Sequence, residues 1–177
     1  MNCFFYSRRN FARTFALCSL ALAAFFCAGC HTKPDLPKYI TEFYMEAPND
    51  SGVAFTLPIS QASYHRMADS FLDLSQVTSV EQGHVTVNLP GGATEQKPCV
   101  FFFFNDDGKE RLNIATGSNQ QRRIFLFLNQ KPMGVRYIDQ TIDSGQLYMI
   151  LEVPDKDLPD YVKDLKESVA RVKALRK

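Results

Sequence analysis

Residues 99–104 have the sequence CVFFFF, and this run decides the fold. Six consecutive apolar residues suit a strand covered on both faces of a sheet, whereas the same run on an exposed edge would favour aggregation. Turn residues follow at Asn105–Gly108, and apolar residues at helical spacing then predict a helix from about Gly108 to Asn119. The run therefore predicts a central strand that leads into a helix.

Segments of alternating apolar and polar residues predict further strands on both sides of this run. These are Tyr39–Ala47, Val53–Leu57, Gly83–Leu89, Arg122–Asn129, Met133–Ile142 and Gln146–Val153. Turn residues at 48–52 and 143–145 predict that the first two and the last two of these strands form hairpins. Residues 90–98 are expected to form a polar loop.

The last predicted element is a helix from about Asp157 to Leu175. Its apolar stripe has helical spacing. The stripe consists of Tyr161, Leu165, Val169, Val172 and Leu175. The charged residues around it are interpreted as a solvated face.

The order of these elements predicts the fold class. In the C-terminal half the order is strand, helix, three strands and helix. The strands at 99–104 and 122–129 flank a helix, so we expect them to be parallel with a right-handed connection. Tight hairpins make the rest antiparallel. The prediction is an α+β two-layer sandwich, with a mostly antiparallel sheet and helices on one face, in the ferredoxin-like βαβββα order.

The first 29 residues have the pattern of a secretory signal peptide. Arg8, Arg9 and Arg13 precede an apolar run at 14–29, which is shorter than the about 20 residues of a membrane span. Residues 27–30, Cys-Ala-Gly-Cys, resemble the lipobox of bacterial lipoproteins. This resemblance implies cleavage between Gly29 and Cys30, with a diacylglyceryl group on the Cys30 thiol.

The N-terminus therefore predicts an address in the bacterial cell envelope. Acyl chains on Cys30 would hold the protein at a membrane and facing the periplasm. By the same lipoprotein resemblance, His31 after the cysteine implies the outer membrane rather than the inner one. Two alternatives stay open: an ordinary signal with Cys30 as a bystander, and twin-arginine rather than Sec export through Arg8-Arg9.

The mature chain has the size and charge of one ordinary domain. Removal of the first 29 of the 177 residues leaves 148, namely a tether at 30–38 and a single domain at 39–177. Three arginines leave with the signal, so 17 basic residues face 19 acidic ones. This balance gives no reason to expect nucleic acid as a partner. Cys99 is the only cysteine after Cys30, so no internal disulfide is expected.

Three segments in the second half have a recognisable order. They are Phe101–Gly108 with Leu112 and Thr116, then Arg122–Lys131, then Ile138–Ile142 with Ser144-Gly145. This order resembles the first periplasmic head domain of SecD-type translocon subunits over residues 98–175. The resemblance divides the domain into a strand-rich part at 39–97 and a SecD head-like part at 98–177. It implies a free head domain that binds polypeptide, with protein export as the setting.

No residue pattern predicts catalysis, a cofactor or a metal. His65 and His84 lack the spacing of metal ligands, and an EF-hand register on Gly108 would place Phe103 and Ile114 at carboxylate positions. Cys99 opens the apolar strand and is interpreted as a small core residue rather than a nucleophile.

Three hypotheses of function follow from the sequence. The preferred one is a lipid-anchored, non-catalytic envelope protein that binds a polypeptide or another envelope component, for example by strand addition to an incomplete sheet. The alternatives are a small periplasmic hydrolase or redox enzyme, and a structural envelope lipoprotein without a specific ligand.

Overall fold

The computed structural model describes residues 36–88 and 91–176. The predicted signal peptide, the cleavage site at Gly29–Cys30 and the first part of the tether lie outside the described residues. No helix within the described part of the chain is long and apolar enough to cross a membrane.

The described residues form nine strands and two α-helices. The strands are β1 (Thr41–Met45), β2 (Val53–Thr56), β3 (Ser63–Arg66), β4 (Leu72–Asp73), β5 (Val77–Asn88), β6 (Thr94–Phe104), β7 (Arg123–Leu128), β8 (Lys131–Tyr137) and β9 (Gln146–Leu151). The helices are α1 (Asp106–Ser118) and α2 (Leu158–Leu175). Two short 3₁₀ turns lie at Pro48–Asp50 and Asp155–Asp157.

Seven of the strands form one sheet, in the order β4-β1-β7-β8-β9-β6-β5. Every neighbouring pair in this sheet is antiparallel. The buried residues of α1 and α2 join one core cluster with the sheet residues of a single face. The predicted α+β two-layer sandwich, with a mostly antiparallel sheet and helices on one face, is therefore confirmed.

The apolar run at 99–104 forms the second half of β6, which lies between β9 and β5. Val100 and Phe102 are fully buried against the helices, and Phe43 packs edge-on against the Phe102 ring with 5.1 Å between ring centroids. On the other face Cys99 is fully buried while Phe101 and Phe103 are half-buried. The prediction of an interior strand is thus confirmed, with one face covered more completely than the other.

The two predicted helices are present with small shifts of their ends. The N-cap of α1 is Asn105, whose side-chain oxygen accepts a hydrogen bond from the Gly108 N–H at 2.9 Å. Asn105–Gly108 is therefore a capped turn from strand to helix. In α2 the stripe residues Leu165 and Val169 are buried, but Leu175 at the end of the helix is 54% exposed.

The predicted parallel arrangement of the strands around α1 is wrong. β6 and β7 are antiparallel, and β9 and β8 lie between them. The last residues of β6 and the first residues of β7 lie at the same end of the sheet. Crossing three strand spacings requires about 14 Å, and 13 helical residues span about 20 Å. Helix α1 therefore crosses the sheet diagonally instead of returning along it.

The predicted hairpin between residues 39–47 and 53–57 is also wrong. β1 pairs with β4 and β7 in the large sheet, whereas β2 pairs with β3 in a separate two-stranded sheet. Aromatic side chains hold the small sheet, with the Phe55 and Tyr64 rings 4.8 and 5.2 Å from the Phe125 ring. Phe55 of β2 and Tyr64 of β3 therefore cover aromatic rings of the large sheet on the face opposite the helices.

The predicted polar loop at 90–98 is shorter than expected. β6 begins at Thr94, and its first residues pair with β5, including Pro98 opposite His84. β9 pairs with β6 only from Val100 to Phe103. Pro98 lacks an N–H, and it lies where β6 has a strand partner on one side only, so the sheet loses no hydrogen bond there.

The described end of the tether is bound to the domain. Lys38 forms an ion pair with Asp164 of α2, and the Arg171 guanidinium donates a hydrogen bond to the Leu36 carbonyl at 2.8 Å. The Tyr39 ring stacks on Tyr161 at 5.9 Å. The chain therefore enters the domain along α2.

Candidate functional site

The outer edge of β5 borders a groove that we call the edge groove. β5 is a terminal strand of the large sheet, and β6 is its strand partner. Helix α2 runs beside the other edge of β5. A groove of about 340 Å³ lies between them. It is lined by Thr78, Ser79, Val80 and Glu81 of β5 and by Lys166, Val169, Ala170 and Lys173 of α2.

The helical wall of the edge groove follows from the spacing of its residues. Residues 166, 169, 170 and 173 recur at intervals of three and four, so they lie on one face of α2. Val169 is buried at the base, whereas Ala170 and the two lysines are exposed along the rim. The wall thus has an apolar base with a cation at each end.

The backbone of β5 faces this groove. The Lys173 ammonium donates a hydrogen bond to the Thr78 carbonyl at 2.6 Å, which shows that this carbonyl points towards α2. The pairing register of β5 with β6 shifts between Val77 and Ser79. Beyond this irregularity, successive residues of the strand direct their backbone N–H and C=O groups to opposite edges. The backbone groups of Ser79–Glu81 that do not pair with β6 therefore face the groove.

A second concave region, the arginine cleft, lies on the sheet face opposite the helices. β8 pairs with β9 only at Gly134–Leu151 and Val135–Ile150. Arg136 and Tyr137 stay paired with β7 while β9 continues towards β6. The two strands therefore diverge after Val135. Cavities of about 450 and 300 Å³ lie on this side of the sheet, and Arg136 and Tyr148 line both.

Arg136 is the central charge of the arginine cleft. Its guanidinium carbon lies 3.9 Å from the centroid of the Tyr148 ring. Its Nε is buried without a hydrogen-bond partner, and no ion pair joins Arg136 to another described residue. Burial lowers the pKa of the Arg136 guanidinium from its ordinary value, partly offset by Tyr148 and Asp139. The group remains a cation, but its charge is poorly solvated.

Cys99 lies in β6 close enough to Arg136 for their charges to interact. Burial raises the pKa of the Cys99 thiol from 9.0 to about 11, although the Arg136 cation acts in the opposite direction. At neutral pH the sulfur is therefore a protonated thiol and a poor nucleophile. The interpretation of Cys99 as a buried core residue is confirmed by its full burial.

The structure does not bring the candidate histidines to Cys99. Gly83 lies opposite Cys99 in the ladder, and His84 follows Gly83, so the His84 side chain projects from the other face of the sheet. His65 lies in β3 of the small sheet, opposite Ala54. Among residues 36–88 and 91–176, no cluster of three or more His, Cys, Asp or Glu side chains forms a metal site.

Sequence reasoning did not find the residues that line the two concave regions. The sequence pattern assigns Lys166 to a solvated helix face and Lys173 to the helix end, where its charge complements the helix dipole. Their spacing with Val169 nevertheless places both beside the apolar stripe. Arg136 had no signal in its own strand. Its position depends on the divergence of β8 from β9, which is a property of pairing between distant segments.

No family model and no curated protein matches the sequence. Two solved structures resemble the fold, one of a membrane component that enhances protein export and one in a super-membrane-facing form. Both are structures of SecDF. Each has a TM-score of 0.49 and 14% identity over 75% of this chain. This chain spans 62% of the first SecDF chain and 19% of the second.

The raised pKa of Cys99 predicts a pH dependence of stability. In the unfolded chain the thiol loses its proton near pH 9, while in the folded protein it keeps the proton to about pH 11. Between these values the folded state binds more protons, so the free energy of unfolding falls as pH rises. Tyrosines and lysines titrate in the same range, so the wild type must be compared with Cys99→Ala. We expect urea denaturation to show a steeper loss for the wild type between pH 9 and pH 11. Equal slopes for the two proteins would contradict the assignment.

Proposed function

We propose that this chain is a lipid-anchored, non-catalytic protein of the bacterial cell envelope that binds an extended polypeptide segment in the edge groove. The observation that supports the binding site is the position of β5, a twelve-residue terminal strand whose outer edge borders a groove rather than another strand. A terminal strand of this kind can pair with an added strand through backbone hydrogen bonds.

The shape of the edge groove suits an extended segment. A strand added to a sheet lies about 4.8 Å from its neighbour, and α2 forms a second wall beyond that position. Alternate side chains of the added strand would point towards Val169 at the base and Ala170 on the rim. The backbone of β5 would supply affinity, and the wall of α2 would supply selectivity.

The charges at the rim favour a segment with acidic residues. Lys166 and Lys173 are exposed at the helical wall, and neither forms an ion pair with another described residue. Lys173 contacts the Thr78 carbonyl, which a bound strand would reach with its own N–H. Binding would then release the Lys173 ammonium for a carboxylate of the segment. The proposed ligand is an extended segment with alternating apolar residues and acidic residues near its ends.

Protein export is the proposed setting of this activity. The resemblance of residues 98–175 to the SecD head implies an unfolded or extended polypeptide as the ligand. SecDF itself is described as a membrane component that enhances protein export. For this chain the proposal is narrower, namely a free head-like domain that binds such segments near a membrane.

The anchor is the second part of the proposal, and it is supported by the sequence of residues 1–30. We expect mass spectrometry of the mature protein to find Cys30 as the first residue, modified with a diacylglyceryl group and acyl chains. A Cys30→Ser variant removes the acylated sulfur and should keep the signal attached. An unmodified amino terminus, or cleavage at another position, would contradict the anchor without affecting the binding site.

A pair of alanines on α2 allows a controlled test of the edge groove. Ala170→Phe places an aromatic ring in the groove, whereas Ala174→Phe adds the same ring one turn after Ala170, at a position that does not line the groove. Photo-crosslinking from position 79 in cells identifies the bound segment, and a peptide of that sequence then serves for affinity measurements. We expect Ala170→Phe to weaken the peptide by at least tenfold and Ala174→Phe by less than twofold.

Nuclear magnetic resonance of the complex with the same peptide tests where the segment binds. Bound peptide should show cross-strand nuclear Overhauser contacts to Ser79–Glu81. Equal affinities for the two phenylalanine variants, or contacts confined to another surface, would overturn strand addition at β5.

A further inference from the structure

The arginine cleft contains a cation that forms no ion pair with a described side chain. Two other arginines on the same face of the molecule show the contrast. Arg123 donates to both carboxylate oxygens of Glu46, at 2.9 and 3.2 Å. The Nη1 of Arg66 donates to the carbonyls of Met67 and Ala68 at 3.0 and 3.1 Å, although its Nε, like that of Arg136, is buried without a partner. Arg136 has only the stacking contact with Tyr148.

Burial without a partner is costly for a guanidinium. The group carries five N–H donors in a planar arrangement, and a donor removed from water without an acceptor loses its hydration. In Arg136 the Nε is such a donor. The ring of Tyr148 covers one face of the plane, so an acceptor must approach from the edge of the plane. Arg136 lines both cavities of the cleft, so an acceptor that enters them can pair with the guanidinium through two parallel hydrogen bonds.

The cleft around Arg136 determines which oxyanion fits. Asp139 lines the larger cavity and its charge acts on Arg136, so a second negative charge on the ligand would be repelled. Val135 and Ile150, together with Val87 of β5, form an apolar wall in the same cavity. A planar monoanion with an apolar body satisfies both conditions, whereas a phosphate dianion does not.

We propose that the arginine cleft is a binding site for a carboxylate with a short apolar body, which pairs with the Arg136 guanidinium and packs on Val135 and Ile150. Such a group occurs at the carboxyl terminus of a polypeptide with an apolar last residue, and also in small free organic acids. The site lies on the sheet face opposite the helices, and it does not depend on strand addition at β5.

The site can be tested by titrating the mature protein and following it by nuclear magnetic resonance. The probes are hexanoate and the peptide acetyl-Ala-Val with a free carboxylate. Hexanamide and the amidated peptide are matched controls that retain the apolar body. We expect the carboxylates to shift the Arg136 Nε–H and the methyl signals of Val135 and Ile150, at millimolar concentrations or below. The amides should bind at least tenfold more weakly.

Variants separate charge from geometry. Arg136→Gln should weaken the carboxylate at least tenfold. Arg136→Lys keeps the charge but loses the paired donors, so it should bind between the wild type and Arg136→Gln. Arg111→Gln removes an equal charge from the exposed face of α1 and should change the affinity by less than twofold.

Each outcome of the titration supports or overturns the site. A response to the peptide alone identifies a polypeptide terminus as the source of the carboxylate, and a response to hexanoate alone identifies a free acid. Equal binding of acids and amides would overturn the proposal, as would full affinity in Arg136→Gln. If Arg136→Gln does not fold, an Arg136 Nε–H signal that stays unchanged in the wild type during titration overturns it instead.

Discussion

The burial of Val100 and Phe102 against the helices is the constraint on which the rest of the structure depends. Both side chains are fully buried, and the edge-on contacts of Phe43 with Phe102 and Phe104 tie β6 to the core beneath β1. A strand buried in this way needs hydrogen-bond partners on both edges, because an unpaired backbone group inside a core costs free energy. β9 supplies one partner and β5 the other. In the observed order β5 is the terminal strand, and its outer edge is directed to α2.

The two concave regions arise from different properties of this sheet. The edge groove exists because Leu165 and Val169 of α2 pack in the same core as Val80 of β5, which brings residues 166–173 of the helix beside the edge of β5. The arginine cleft exists because β8 follows β7 while β9 follows β6, so the sheet separates after two paired residues. The first region presents backbone groups and cations to an extended chain, whereas the second encloses a single guanidinium.

The sequence predicts which segments form strands and helices better than it predicts which strands pair. The strand at 99–104, the capped start of α1 and the stripe of α2 follow from local periodicity and from Asn105, which act within a few residues. The antiparallel relation of β6 to β7 and the pairing of β2 with β3 depend on segments that are distant in the chain, so alternation specifies a buried face but not a partner. For the same reason no local pattern marks Arg136 as a site residue. Its environment consists of the Tyr148 ring and the space between β8 and β9, which are set by pairing between distant segments.

Backbone amide hydrogen exchange tests the central claim, that β5 is an open edge beside a strand paired on both sides. We expect the amides of Val100–Phe103 to exchange only through global unfolding, since β5 and β9 bond them from either side. Alternate amides of Ser79–Glu81 should exchange orders of magnitude faster in the free protein, and they should become protected when an extended peptide binds. Uniformly slow exchange throughout β5 in the free protein would contradict the open edge.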